Sequence, residues 1–403
     1  MPDDGDLIES YNYVCAECFG NQGIINLIND EGELKAEQKC DYCKKNDRKL
    51  LSLDSVLIHI LDSIYFCYTN PEEVAYRDEG EFITEKNLST ADVLHELGLI
   101  CNNSSLFRDI CSHIKNEHWC ESQPYLSEEH EVLLYSWDDF SDHIKNKSRF
   151  VFFEQSSESF DDQYFPPALI LNYIGKAIKE LSLFKTLQKD EPIYRCRHLC
   201  IDNKKHWTAK DLGTPLPKHT LENPNRMNPQ GIPMFYGSPQ KLTAIKEIID
   251  SCNTSDESKE FITGIFYSTK ELRLVDLTQS LDEIDYFDHP NQQLITPKLF
   301  LQKFIEIINK PITKNESNSA YIEYIPTQVV TEYFKIILKD NDGHHVNGFK
   351  YKSSKDGKPC IVLFVTQDEC DDDSNITNKT VLVLKKIEHD SNHKIKKKLE
   401  DGW

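Results

Sequence analysis

The chain has 403 residues, a formal net charge of -21, and 39% hydrophobic and 10% aromatic residues. That length and apolar content fill the cores of two domains or three small ones, while the acidic balance argues against a nucleic-acid groove, which needs concentrated Lys and Arg. No stretch reaches the roughly 18 consecutive apolar residues of a membrane helix, and the start MPDDGDLIES has neither the basic nor the apolar region of a signal peptide.

Cysteine chemistry opens the chain. Cys15-Ala-Glu-Cys18 and Cys40-Asp-Tyr-Cys43 are two turns that each present two thiols, joined by the 21 residues 19–39. This spacing suits one tetrahedral Zn2+ held by Cys15, Cys18, Cys40 and Cys43, with no open position for chemistry. The 13 Cys of the chain, an odd number, fit a reducing cytoplasm better than a disulfide framework. Residues 11–48 therefore read as a four-cysteine zinc ribbon, too short to bury a core without its metal.

Residues 50–188 are mostly helical in pattern. Val56, Ile60 and Ile64 share one face of a helix over 55–65, and Ser89 to Asp92 is a helix start before Val93 and Leu94. Trp137 to Phe140 opens a further short helix, and 168–187 reads as a long amphipathic one. The Cys111/His113 and His118/Cys120 group matches no metal spacing and reads as core and surface residues.

From about residue 189 the texture changes to short apolar runs broken by Pro, Gly and Asn. Ile193 to Arg197 reads as a strand whose alternation turns Arg195 and Arg197 the same way. Asn228-Pro229-Gln230-Gly231 is a tight turn, 232–236 a buried strand, and Ser238-Pro239 the cap of a helix over 240–249. Arg226, Tyr236 and Glu247 thus come from a loop, a strand end and a helix of one supersecondary unit. Runs 261–267 and 272–277 read as a strand pair across 268–270, followed by helices over 297–308 and 326–338. Strands over 348–352, 359–364 and 380–384, polar loops at 315–319 and 368–378, and a basic tail at 393–398 complete the chain.

Four pieces in order resemble the RES domain: Tyr194-Arg195, the Arg226-x-Asn228-x-x-Gly231 loop with Tyr236, Ala244-x-x-Glu247, and Gly348-Phe-Lys-Tyr351-Lys-Ser353. The region before them is similar to the N-terminal domain that accompanies RES domains in longer bacterial proteins, with its zinc-ribbon start and Trp137-x-x-Phe140 step. The resemblance implies an α+β chain: a zinc ribbon and a mainly helical domain at 50–188, then a RES domain at 189–403 similar to the ADP-ribosyltransferase fold. It implies cleavage of the nicotinamide–ribose bond of NAD+ by phosphorolysis, with inorganic phosphate as co-substrate, in a toxin or defence effector paired with an antitoxin or regulatory protein.

The implied site residues suit that chemistry. Arg195, Arg197 and Arg226 offer planar donors to a pyrophosphate, and the face of Tyr236 attracts a cationic nicotinamide. Glu247 stabilises an oxocarbenium-like ribose, and Ser353, with Ser354 as substitute, orients the ligand through its hydroxyl. Thr327 and Gln328 read as a helix start within reach of the ligand, and His344 and His345 as solvated. Unlike compact toxins of the family, this chain places some 185 residues before the domain, a sensor or a cap on the site.

Two other readings stay open. Arg108-Asp109-x3-His113 has the Arg-polar-x3-His form of HEPN ribonucleases, so the helical domain could cut RNA under control of the C-terminal domain. The plainer account is an exposed Arg and a partly buried His. The third reading is a non-catalytic module that binds NAD or ADP-ribose.

Overall fold

The structure, a computed structural model, describes residues 6–35, 38–71, 77–78, 81–82, 88–122, 129–151, 167–199, 206–221, 225–249, 260–281, 284–310 and 320–391. The chain divides into two compact units, Met1–Val132 with Asp282–Leu299, and Leu133–Leu281 with Phe300–Trp403. No helix among the described residues is long and apolar enough to cross a membrane.

In the first unit, short strands β1 (Tyr13–Val14) and β2 (Glu33–Leu34) flank β3 (Lys49–Ser52), and helix α1 (Gln22–Glu31) lies between β1 and β2 in sequence. Helix α2 (Leu53–Cys67) starts on Ser52, whose hydroxyl accepts the Ser55 amide at 3.2 Å. Its Val56, Leu57, Ile60, Leu61 and Ile64 are fully buried, as the 3.6-residue spacing predicts. Helix α3 (Thr90–Glu96) has a capping box between Ser89 and Asp92. Helix α4 (Ser104–His113) and strand β4 (His118–Glu121) follow, with Trp119 fully buried. Phe287, from the late segment, is buried in the same core.

The second unit joins helices to two sheets. Helices α5 (Glu129–Asp142) and α6 (Pro167–Glu180) precede strands β5 (Phe184–Leu187) and β6 (Ile193–Leu199). Strand β7 (Phe235–Gly237), helix α7 (Lys241–Ile249) and strands β8 (Glu260–Ser268) and β9 (Leu272–Asp276) come next. Then follow α8 (Ile295–Asn309), α9 (Ile325–Ile336), β10 (Gly348–Lys352), β11 (Pro359–Leu363), β12 (Cys370–Asp372) and β13 (Leu382–Ser391). One sheet has the order β6-β8-β13-β12, the other β7-β11-β10-β9-β5. Ile193, Phe235, Phe266, Leu274 and Ile361 form a fully buried core from strands of both sheets. The helices build a second core with Trp137 edge-on to Phe304, ring centroids 4.9 Å apart. The Trp137–Phe140 step is packing.

Several elements differ from the sequence reading. Runs 261–267 and 272–277 are strands but not a hairpin: β8 lies between β6 and β13, and β9 between β5 and β10. Between them Thr269 bonds across to Val381 and Thr380, so the chain changes sheets there. The helix expected over 168–187 stops at Glu180, where Ser182 takes a left-handed φ of 51° and frees 184–187 to pair with β9. A serine in the place glycine usually fills hid that stop. The helix holding Trp137 begins at Glu129, the 232–236 strand is shifted to 235–237, and the polar run 368–378 contains β12. The 315–319 loop and the basic tail at 393–398 lie outside the described residues.

The two sheets touch where β6 meets the end of β7. Tyr194 and Ser238 exchange backbone hydrogen bonds of 2.8 and 2.9 Å. A Cβ at Gly237 would lie 2.6 Å from Ile193 Cγ2 and 3.1 Å from the Tyr194 carbonyl oxygen, so only glycine permits this approach. Gly237→Ala is expected to cost about 1–3 kcal/mol of stability, read as a lowered urea midpoint at unchanged slope; an unaltered midpoint would show that the junction yields freely.

Candidate active site

The strand junction assembles a cavity of about 330 Å³ in the second unit. Strand β6 supplies Arg195 and Arg197 to its wall, the loop before β7 supplies Arg226, β7 supplies Tyr236, and α7 supplies Glu247. The sequence reading assigned all five to one site, and all five line one cavity.

Each guanidinium is anchored to a backbone carbonyl. Arg195 Nη1 donates to Tyr236 O at 2.7 Å, Arg197 Nη2 to Gly213 O at 3.0 Å, and Arg226 Nη1 to Asn309 O at 3.0 Å. The Nε atoms of Arg195 and Arg197 are buried without a hydrogen-bond partner among the described residues. Burial, and then the neighbouring Arg197, pulls the Arg195 pKa down to about 9, and burial also lowers that of Arg197. Both stay cationic at neutral pH. Arg195 also stands 5.0 Å from the Phe235 ring centroid.

The loop that carries Arg226 is pinned on several sides. Asn228 is buried, and its Oδ1 accepts the Tyr236 hydroxyl at 2.7 Å. Gly231 turns the chain with a φ of 77°. From α9, Thr327 Oγ1 donates to Arg226 O at 2.6 Å, and Gln328 Nε2 donates to the Asn225 and Asn228 carbonyls at 2.9 and 3.2 Å. Gln328 therefore holds the loop and is not among the cavity-lining residues. Tyr236 spends its proton on Asn228, and burial raises its pKa.

Glu247 is held by two donors on one oxygen. Ser353 Oγ donates to Glu247 Oε1, and Cys360 Sγ lies 3.8 Å from the same atom. Oε2 has no protein hydrogen bond among the described residues, and Glu247 forms no ion pair there with any of the three arginines. Ser353 is only 3% exposed and stands behind the carboxylate; Ser354 reaches the wall instead. Tyr194, Tyr324, Tyr351 and Cys360 also line the cavity. Burial raises the pKa of both Tyr351 and Cys360. Tyr351 was legible, being two residues before Ser353 on one strand face. Cys360 pairs with Tyr351 across β10 and β11, a register invisible in sequence.

In the first unit the four cysteines of the paired turns converge, with all four sulfurs within 4.8 Å of one another. Sγ–Sγ distances are 3.8 Å for Cys15–Cys18, 3.5 Å for Cys15–Cys43 and 3.5 Å for Cys18–Cys40. Tetrahedral Zn–S bonds of about 2.3 Å place sulfurs about 3.8 Å apart, so the cluster fits such an ion. Burial, then the Cys43 thiol, pushes Cys15 up to about 12, while the Cys18 hydrogen bond pulls Cys40 down to about 4. The cluster could hold a metal.

The other singled-out residues do not converge. Arg108 is exposed and donates to Ser104 O at 3.3 Å, His113 Nδ1 lies 2.6 Å from Asp109 O, and the Asp109 carboxylate accepts Tyr42 Oη at 3.0 Å. Cys120 is buried and His118 exposed, while His344 and His345 are exposed.

Residues 192–384 match the family model of the RES domain, and residues 33–158 match that of the HEPN/RES N-terminal domain 1. The chain is a RES-domain protein with a HEPN/RES-type N-terminal domain. No curated protein matches it in sequence. A chain from the crystal structure of the M. tuberculosis MbcT-MbcA toxin-antitoxin complex aligns over 56% of this chain and 96% of its own length, at 9% identity and a TM-score of 0.30, a likeness too loose to carry geometry.

Three guanidiniums whose hydrogen bonds among the described residues go to backbone carbonyls make an anion site. Millimolar pyrophosphate is expected to raise the melting temperature of the full chain, less so at high salt. Arg195→Gln and Arg197→Gln should each weaken that rise in differential scanning fluorimetry; equal rises in wild type and both variants would place the anion elsewhere.

Proposed function

We propose that this protein degrades NAD+ by breaking the nicotinamide–ribose bond and acts as a bacterial toxin or defence effector. The observation that carries the reading is the lining of one cavity by Arg195, Arg197, Arg226, Tyr236 and Glu247. An acidic chain concentrates three cations there, which suits the pyrophosphate of a dinucleotide. The RES match at 192–384 supports the same activity.

The residues divide the work by chemistry. Arg195, Arg197 and Arg226 grip the pyrophosphate as fixed donors, their positions set by backbone carbonyls rather than by mobile carboxylates. The Tyr236 ring offers its face to the cationic nicotinamide, since its hydroxyl is committed to Asn228. As the C1''–N bond breaks, both electrons go to the ring nitrogen and nicotinamide leaves neutral. Glu247 stabilises the positive charge left on the ribose, presenting Oε2 while Ser353 and Cys360 hold Oε1. Ser353 is then a positioning residue. An oxygen of inorganic phosphate closes the new bond at C1'' and gives ADP-ribose-1''-phosphate; water in that place would give ADP-ribose.

Around this chemistry we read 189–403 as the NAD+-cleaving domain, similar to the ADP-ribosyltransferase fold, behind a four-cysteine zinc ribbon at 11–48 and the helical region 50–188. The convergence of Cys15, Cys18, Cys40 and Cys43 supports a structural Zn2+ on these thiols, in a chain of the reducing cytoplasm. An antitoxin or regulatory protein is the expected partner. Arg108 and His113 each bond to a carbonyl of their own helix, which lends the ribonuclease reading no support.

Pure protein with NAD+ and phosphate should release nicotinamide and ADP-ribose-1''-phosphate, identified by mass. Glu247→Gln should lower kcat by about 100-fold or more, and Ser353→Ala by about tenfold with little change in KM. No nicotinamide with or without phosphate would end the reading, whereas ADP-ribose alone would change only the acceptor. Elemental analysis is expected to find about one Zn per chain; a metal-free, folded chain would remove the ribbon's ion from the account.

A further inference from the structure

Residues 284–294, from the chain between β9 and α8, are seated in the first unit rather than the second. Phe287 is fully buried in the core of that unit. The Gly23 amide of α1 donates to Asp285 Oδ2 at 2.8 Å, and a Cβ on Gly23 would come within 2.2 Å of the Phe287 carbonyl oxygen. The seat is therefore built to fit.

Its polar centre is a pair of stacked imidazoles. The His59 ring of α2 lies on the His289 ring of the segment, with centroids 3.6 Å apart and planes 18° from parallel. His59 Nε2 is 2.7 Å from the Phe287 carbonyl, which can only accept, so that nitrogen carries the proton. Ser63 Oγ donates to the His59 carbonyl at 3.0 Å and so accepts from His289 Nε2 at 2.9 Å. Both neutral rings thus use one proton each, and both hydrogen bonds lie at the seat. We propose that segment 284–294 is an acid-released clasp, held on α2 by the His59–His289 stack while both rings are neutral and let go when they gain protons.

Two cations cannot share a stack at this separation without repulsion. The charged groups that face the pair are Asp62 from α2 and Asp285 and Asp288 from the segment; α1 contributes the backbone amide of Gly23. The carboxylates draw protons toward the rings, yet burial outweighs them and lowers both pKa values, with the His59 ring adding to the fall at His289. The sign follows. A released segment binds protons near the ordinary imidazole pKa of about 6.5, before the seated one does. Seating is therefore firm above that value and weakens as pH falls through and below it.

Hydrogen exchange on the full chain at about pH 7.5 and about pH 5, corrected for intrinsic rates, reads this directly. Protection of peptides covering 284–294 should fall about tenfold or more at the lower pH while that of α2 holds. His289→Phe, which keeps a ring for the stack but removes one of the two titrating groups, should shrink the acid response to that of His59 alone; should that variant not fold, His59→Gln, which keeps a donor for the Phe287 carbonyl, gives the same decision. Unchanged protection in the wild type, simultaneous loss across α2, or an undiminished acid response in the folded variants would overturn the clasp.

Discussion

The contact on which the cavity depends is the backbone crossing of Tyr194 and Ser238. It joins the edge of one sheet to the edge strand of the other and is the reason Arg195 reaches the Tyr236 carbonyl. Edge strands normally present unpaired amides and carbonyls to solvent. Here one such edge closes on another strand for a single bridged pair and then opens, leaving space beside it. Gly237 permits the approach, and the burial of Phe235 and Ile193 behind it makes the junction rigid. A site built on strands held in this way keeps its guanidiniums in place before any ligand arrives, which lowers the cost of binding.

The electrostatics show a stability sacrifice of the kind functional sites make. Arg195 and Arg197 lie two residues apart on one strand, and each loses hydration while hydrogen-bonding, among the described residues, to a backbone carbonyl. A folding optimum would have placed a carboxylate between them. The available carboxylate, Glu247, is instead taken by Ser353 and Cys360 on the neighbouring strands. Cations and anion are thus kept apart in one cavity, and a ligand with an anionic group and a centre that becomes cationic can satisfy both. That separation of charge, rather than any single residue, makes bond cleavage at a ribosyl carbon the reading that fits best.

Much of this was legible because the informative residues sit in short, locally determined pieces. The turn at Asn228 to Gly231, the strand after it and the capped α7 follow from Pro, Gly and Ser chemistry, and they carry Arg226, Tyr236 and Glu247 with them. Arg195 and Arg197 follow from strand alternation. What was hidden depends on partners distant in sequence. The largely buried runs of β8 and β9 give no clue to their neighbours, because a strand buried on both faces has little period to read. Cys360 enters the site through cross-strand register. Gln328 looked like a helix start near the ligand, and its role is to clamp the Arg226 loop through two carbonyls. Segment 284–294 carries no periodic pattern, and the burial of Phe287 reveals its seat.

The first unit rests on a different economy. The sheet beside its cysteine turns has strands of two, four and two residues, too short for ladder hydrogen bonds to hold at about 1 kcal/mol each. The cysteine turns are instead tied to the helical segments by single hydrogen bonds. Asn102 N donates to Cys18 O at 2.8 Å, Asn103 Nδ2 to Tyr42 O at 3.1 Å, and Tyr42 Oη to Asp109 at 3.0 Å. Tyr42 belongs to the second cysteine turn, and Asn103 and Asp109 to the cap and body of α4, so both hydrogen bonds between turn and helix run through one residue, Tyr42. On the zinc reading, an ion binding four thiolates contributes about 10–16 kcal/mol, far above those few bonds together. The metal would then set the position of the turn, and through Tyr42 the carboxylate of Asp109 would be occupied by packing. On that reading the acidic position of the Arg108–His113 pattern takes part in packing through its bond from Tyr42.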